Sequence, residues 1–299
     1  MKLGSSAFWD DFFRLHNTAT ETVLKRGLWF GAFALAVGAV EVASHTSIAI
    51  PIAPFEVAGA ALSLLLVLRT NAGYDRWWEG RKLWGGIVNQ CRNLTITALA
   101  YGPEEAEWRW AVAGWTAAFA HAARRSLRGE RELPELAELL GDAEAARIAA
   151  ADHMPGYVSS RIAALLRQAA DAGQLDRFGF LQADRERATL IDHLGGCERI
   201  AKSPLPKAYG IEIRRFLIIF LLVLPFELVD KFDESLAIFV TPILTMLIAY
   251  PILALDEIGS QLQQPFSSTS LNHLTLDELC ATIERNVLAL AEGGAKPQP

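Results

Sequence analysis

Leu236–Leu255, LAIFVTPILTMLIAYPILAL, runs for 20 residues without a charged side chain. Wound into a helix at ~1.5 Å per residue it reaches ~30 Å, the thickness of a bilayer's hydrocarbon core, so this stretch predicts a membrane span. Pro242 and Pro251 lie inside it and predict kinks, tolerable where neighbouring helices satisfy the freed carbonyls. Just upstream, Phe216–Val229 is shorter and contains Pro225 and Glu227, but only the short acidic segment 230–235 separates it from the long run. The two read as a helical hairpin. A second hairpin is expected near the start: Gly27–Ile50 is apolar except for Glu41 and His45, and Ala53–Leu68 follows after Pro51-Ile52. Glu41 and Glu56 are costly against lipid and should face protein, headgroups or water.

The basic residues orient these four spans. Lys25 and Arg26 precede the first, Arg69, Arg76, Arg81 and Lys82 follow the second, and Lys202, Lys207, Arg214 and Arg215 precede the third. The loops between paired spans hold only Lys231. By the positive-inside rule both termini and the long middle segment are cytosolic, which places a multi-pass protein in the cell inner membrane or plasma membrane. The opening residues include Lys2, Asp10 and Asp11, with no apolar stretch behind a basic start. No cleavable signal is expected, and the first span should direct insertion itself.

Although 52% of residues are hydrophobic, 21% are charged and gather in the middle and at the ends, so a large part of the chain belongs in water. A net charge of −6 with dispersed basic residues excludes a nucleic-acid partner. Cys91, Cys197 and Cys280 lie far apart and are odd in number, which suits a reduced compartment better than a disulfide framework. The middle segment, Tyr74–Pro206, reads as helical throughout. Trp110–Ala123 is uncharged but too short to span, so it predicts a buried helix opened by Pro103-Glu104-Glu105 and closed by Arg124-Arg125. Further helices are expected over Glu135–Ala151, Ser159–Ala172 and Arg185–Ala201, where apolar residues recur at three and four. Thr275-x-x-Glu278 forms a capping box ahead of a last cytosolic helix over Leu276–Leu290, and the tail from Gly293 to Pro299 is polar. The class is all-α.

Catalytic constellations are missing. The sequence has no His-Glu-x-x-His, no paired-cysteine spacing, no Gly-x-Gly-x-x-Gly, no P-loop and no Gly-x-Ser-x-Gly. His193 before Gly195-Gly196-Cys197-Glu198-Arg199 is better explained by two helices packed closely at the glycines. Asp256-Glu257 reads as a solvated helix end rather than a metal site, since divalent cations need several converging oxygens. No enzyme activity, cofactor or metal is expected.

Arg69-Thr70-Asn71-Ala72-Gly73-Tyr74-Asp75-Arg76-Trp77-Trp78-Glu79-Gly80-Arg81-Lys82-Leu83-Trp84-Gly85 resembles the segment that leaves the second membrane helix in bestrophins. Phe13-Arg14-Leu15-His16, Gly195–Arg199, Pro225-Phe226, Glu257 through Pro265-Phe266, and Cys280–Asn286 agree in order and spacing. The resemblance covers nearly the whole chain and is strongest to the bacterial branch. It implies a bestrophin-like homopentamer in the lipid bilayer, four transmembrane helices per subunit, around a central pore lined by the second span, with a large cytosolic helical region forming a vestibule. The expected divisions are 1–26 cytosolic, 27–72 the first two spans with a pore-lining helix at 53–72, 73–213 cytosolic, 214–255 the last two spans, and 256–299 cytosolic.

The resemblance also implies an apolar neck, which falls on Ala60, Leu64 and Leu68 by counting back from Arg69. Rings of leucine in a narrow tube cannot hydrate an ion and close it by dewetting. Periodicity alone does not choose this face, because Leu62, Ser63 and Leu65 are also candidates. Ala60 departs from the bulky residue expected there and implies a wider outer ring. One turn outward, Glu56 shares the face: it is either a ring of carboxylates that concentrates cations or a single interfacial carboxylate reaching headgroup water. A cytosolic aperture is implied at Phe178, which reads equally as a core aromatic. Animal bestrophins bind calcium shortly after the Pro-Phe pair; here Ser267–Asn272 follows, with no carboxylate before Asp277, so no calcium clasp is expected. The function expected is conduction of small monovalent ions with a lean to cations. The alternatives are chloride or another anion, as in eukaryotic bestrophins, and, in a different class, a membrane-anchored scaffold or enzyme without conductance.

Overall fold

In the computed structural model, which describes residues 19–44, 52–269 and 272–293, all the regular structure is helical. The helices are α1 (Ala19–Ser44), α2 (Ile52–Tyr101), α3 (Ala106–Arg128), α4 (Pro134–Leu140), α5 (Asp142–Ala150), α6 (Met154–Asp171), α7 (Arg177–Lys202), α8 (Lys207–Leu228), α9 (Glu234–Gln261) and α10 (Leu276–Gly293), with one 3-10 turn at Val229–Lys231. They divide into two compact units. One holds α1, α2 as far as Trp77, and Pro204–Pro265; the other holds Trp78–Ser203 and the chain from Leu274.

The first unit is built from the apolar runs. Val23 and Phe30 of α1, Leu62 and Leu66 of α2, Leu217, Phe220, Leu221 and Leu224 of α8, and Ala249 and Leu253 of α9 share one core. Phe55 stacks on Phe220 with ring centroids 4.2 Å apart. α1 and α9 pack along their length, and Gly31 marks the closest approach: a Cβ there would lie 2.7 Å from the Met246 sulfur. A missing side chain lets two membrane helices gain dispersion contacts where no hydrophobic drive separates helix from lipid. Gly73 of α2 plays the same part against α9, where a Cβ would stand 2.9 Å from the Gly259 carbonyl oxygen.

Three described helices are long and apolar enough to cross a membrane, over Thr20–Ser44, Phe55–Tyr101 and Leu236–Gln261. The expected third span is not among them, because Glu212, Arg214, Arg215 and Glu227 leave α8 uncharged only over Phe216–Phe226.

The second unit wraps α3. Every residue from Val112 to Arg124 is buried, as expected of a helix apolar on all faces. Its alanines admit α6 and α10 at close range, and Gly114 faces Leu140 of α4. Trp84, Ile148, Ile162, Leu166, Leu190 and Leu194 complete the interior.

Some boundaries differ from the sequence expectation for local reasons. The second span does not stop near Leu68 but continues as one 50-residue helix. At ~1.5 Å per residue this helix is about 75 Å long, more than twice a hydrocarbon core. The helix expected over Glu135–Ala151 is split at Gly141, whose φ of 85° lies in the left-handed half of backbone space. α3 runs past Arg125 to Arg128 and is capped by Gly129 at φ 73°. α9 extends beyond Leu255, so Asp256 and Glu257 are inside the helix and not at its end. The Phe13–His16 motif, His45, Pro51 and the polar tail after Gly293 lie outside the described residues.

Candidate functional site

The first half of α2 has two distinct faces. Leu62, Leu66 and Arg69 point into the first unit and are 1–3% exposed, and Gly59 meets the Phe220 ring. Glu56, Ala60, Leu64 and Leu68 fall on the opposite stripe and are all exposed, Leu64 by 61% and Leu68 by 50%. Helix periodicity explains the grouping, since residues four apart stack on one side. Of the alternatives, Leu62 is taken by the core, Leu65 is half-buried, and exposed Ser63 turns its hydroxyl back to donate to the Gly59 carbonyl at 2.9 Å.

The rotation of α2 is held by charge. Arg69 forms an ion pair with Asp256 of α9, each side chain only 4% exposed. Arg214 of α8 reaches the other Asp256 oxygen at 3.3 Å and donates to Ser260 at 2.9 Å. Arg26 of α1 pairs with Glu257 at 3.0 Å. The expectation of a solvated helix end at Asp256-Glu257 is therefore corrected: three guanidiniums from three helices converge there, and Asp256 is buried between Arg69 and Arg214 while Glu257 takes Arg26. Sequence reasoning treated Arg69 and Arg214 only as flanking positive charge. The available signal was a carboxylate directly after an uncharged 20-residue run, opposite arginines that end α2's apolar stretch and precede α8's.

Phe178 sits at the start of α7, where the Asp176 carboxylate accepts from the backbone N–H of Phe178 and Gly179 at 2.7 and 2.8 Å. Its ring is 83% exposed and is not a core aromatic of the second unit. Gly179 beside it lies against Tyr101, where a Cβ would approach the Tyr101 Cβ to 2.9 Å. Tyr101, Phe178, Leu181 and Arg185 line an open cavity of about 420 Å³. Of the two glycines after His193, Gly196 is closely packed, since a Cβ there would strike Leu83, whereas Gly195 faces open space; the His193 ring itself lies against Gly86 of α2.

Near the Pro-Phe pair, two arginines of α3 meet the Phe266 carbonyl and the Asp277 carboxylate. Arg128 donates to the Phe266 carbonyl at 3.4 Å and pairs with Asp277 at 2.7 Å, while Arg124 reaches the other Asp277 oxygen at 2.8 Å. The hydrogen bond from Arg128 holds the Asp277 carboxyl below its ordinary range. Glu135 joins the cluster through Arg124 and Arg125 at 2.5 and 2.6 Å. Burial alone raises the Glu135 pKa, but these hydrogen bonds outweigh it and bring it to about 2. Deeper in α3, buried His121 lies 2.8 Å from Glu284. Burial pushes its pKa down against the pull of that carboxylate. Cys91, Cys197 and Cys280 are each buried and unpaired. Burial raises the thiols of Cys197 and Cys280 to about 12.

Long apolar helices locked by a buried arginine–carboxylate cluster, in a chain that also carries a helical unit of ordinary polarity, define an all-α membrane protein. The chain belongs to the bestrophins: residues 4–289 match the profile of the family described as Bacterial/Fungal Bestrophin protein. Among similar proteins is a voltage-dependent anion channel-forming protein of Mesorhizobium japonicum, 38% identical over 253 residues covering 83% of this chain and 78% of that protein. YneE of Escherichia coli K12, also named a voltage-dependent anion channel-forming protein, is 32% identical over 254 residues, 85% of this chain and 81% of its own length. The crystal structure of a bacterial bestrophin homologue from Klebsiella pneumoniae superposes with a TM-score of 0.81 at 27% identity, covering 90% of this chain and 98% of that one.

Proposed function

We propose that the chain is one subunit of a homopentameric ion channel, with four spans per subunit, in which 53–72 lines the pore and the helices of 73–213 form a cytosolic vestibule. The observation that carries this reading is the exposed stripe of α2. Glu56, Ala60, Leu64 and Leu68 face away from the chain's own core, while Leu62, Leu66 and Arg69 fix the rotation from behind. A carboxylate on the outward face of a span is costly in lipid and is satisfied if that face meets water. One span per subunit makes a pore only when several copies surround an axis. Ala60, Leu64 and Leu68 then form the dewetting neck, and Phe178 narrows the exit as a ring of five. α8 serves as the third span despite its charges, because Arg214 is paired with Asp256, Glu227 is buried beside Lys231, and Arg215 pairs with Glu212 at its cytosolic start. Both termini are cytosolic and the membrane is the cell's inner or plasma membrane.

The permeant ions are small and monovalent, and five Glu56 carboxylates bias the mouth toward cations. A second reading, anion permeation, is favoured by the names of the Mesorhizobium and Escherichia relatives. It also accords with Arg177 and Arg185, exposed on either side of Phe178. Reversal potentials in a salt gradient across a planar bilayer decide between them. The cation reading expects Glu56→Gln to shift the potential toward anions, and an unchanged potential removes the ring from the account. The mass of the detergent-solubilised complex tests the assembly; a value other than five chains overturns it. Gating by calcium is not expected, since Arg124 and Arg128 already occupy the Asp277 carboxylate. The reading is of a channel and not of an enzyme.

A further inference from the structure

The first unit carries a groove that the pore reading does not use. It has a volume of about 380 Å³ and lies between α1, α8 and α9. Trp29 and Phe30 form one wall, Leu217 and Ile218 the other, and Leu253 the floor. Its far end is closed by Arg26 and Arg214 with Asp256 between them. Apolar length with charge at one end is the chemistry of an amphiphile.

The charge at that end has a sign. Arg26, Arg69 and Arg214 meet Asp256 and Glu257, three guanidiniums against two carboxylates, leaving one positive charge in excess. The pairing is also unequal. Arg69 is buried and takes Asp256 closely, whereas Arg214 is half-exposed and stands 3.3 Å from the second oxygen. Arg26 is likewise 47% exposed. Both exposed guanidiniums keep N–H donors free of the protein, and a planar guanidinium matches a phosphate through two parallel hydrogen bonds.

The apolar walls suit an acyl chain rather than a soluble ligand. Trp29 is 58% exposed, and its ring stacks on Phe33 with an interplanar angle of 4°, which extends the wall along α1. Ile218 is exposed on the facing side of α8. Trp29 lies one turn beyond Arg26 within α1, and tryptophan next to a basic residue is the arrangement found at headgroup level.

We infer that this groove binds one anionic phospholipid per chain, its phosphate held by Arg214 and Arg26 and one acyl chain lying between Trp29 and Ile218. The site belongs to the cytosolic leaflet, where basic pockets between membrane helices recruit acidic headgroups. It does not depend on which face of α2 lines the pore.

Native mass spectrometry of the detergent-purified complex, titrated with phosphatidylglycerol or with phosphatidylcholine of the same chains, tests this. Phosphatidylglycerol should be retained up to one per chain and about thirtyfold more tightly, from two arginines near an acidic headgroup. Arg214→Gln should abolish that preference. Ile218→Trp, which fills the groove and leaves every charge in place, should reduce retention of both lipids while the complex stays assembled. Equal retention of the two lipids by the parent protein overturns the inference, as does full phosphatidylglycerol retention by Ile218→Trp. A photo-crosslinker replacing Trp29 should label lipid; chain-to-chain products in its place would show that a second copy covers the groove and overturn it as well.

Discussion

Replacing Asp256 with asparagine removes one charge and almost no volume from the cluster that fixes α2. Asp256 and Arg69 are each 3% exposed, so the substitution strands a buried guanidinium whose other contact is Ser260 at 3.4 Å. Removing one partner of a buried ion pair costs about 3–5 kcal/mol, because the remaining charge loses both water and its counterion. Arg214 adds little, being half-exposed and screened. The amide still accepts a hydrogen bond, which places the loss near the lower end, about 3 kcal/mol. For a chain of 299 residues that corresponds to a fall in Tm of about 5 °C. Intrinsic tryptophan fluorescence of the detergent-purified protein follows the melt. The double variant Arg69→Met with Asp256→Leu removes both buried charges, leaves only the half-exposed Arg214 without a carboxylate, and should melt well above the sum of its parts, with a coupling of about 2 kcal/mol or more. An Asp256→Asn melt within about 2 °C of the parent, or strict additivity in the double variant, would refute the claim that this pair holds the helix.

Acid should loosen the second unit through Glu135. Its carboxyl titrates at about 2 in the fold against an ordinary 4.5, so its stabilisation is complete above 4.5 and is lost as pH falls from there toward 2. Glu135→Gln should therefore melt lower than the parent at neutral pH, with the difference shrinking in acid; a constant difference across that range contradicts it. In the pore reading, Leu64→Ser with Leu68→Ser hydrates the neck and raises single-channel conductance several-fold in planar bilayers, and unchanged conductance would move the barrier elsewhere. Gly73→Val places a branched side chain where a single Cβ already stands 2.9 Å from the Gly259 carbonyl. Size-exclusion chromatography should show loss of the assembled species, whereas a normal profile would mean that α2 and α9 separate there at little cost.

The spans were legible where the pattern was uniform. Leu236–Leu255 announces itself because no charge interrupts it, and Trp110–Ala123 because a run that short must be buried by protein. α2 was legible only in part. Its apolar stretch ends at Arg69, and a sequence rule that halts a span at charge has no term for a helix that continues through the dense Arg69–Gly85 segment, which holds three glycines but no proline. Asp256 was misread for a related reason. Adjacent acidic residues at the end of an apolar run look solvated until the partners, 42 and 187 residues away, are brought beside them. Position on α2's circumference was likewise beyond periodicity, since leucine and alanine occur all round it; the choice between Leu62 and Leu64 comes from which side α8 and α9 occupy.

The three native thiols offer a practical opening. Each is sealed inside a helical interior, and those of Cys197 and Cys280, with pKa values of about 12, stay protonated and unreactive in neutral buffer. Maleimide or methanethiosulfonate reagents applied to the otherwise unaltered protein should leave it unmodified, so single cysteines introduced along the outer stripe of α2 can be mapped without first stripping the chain of its own sulfur.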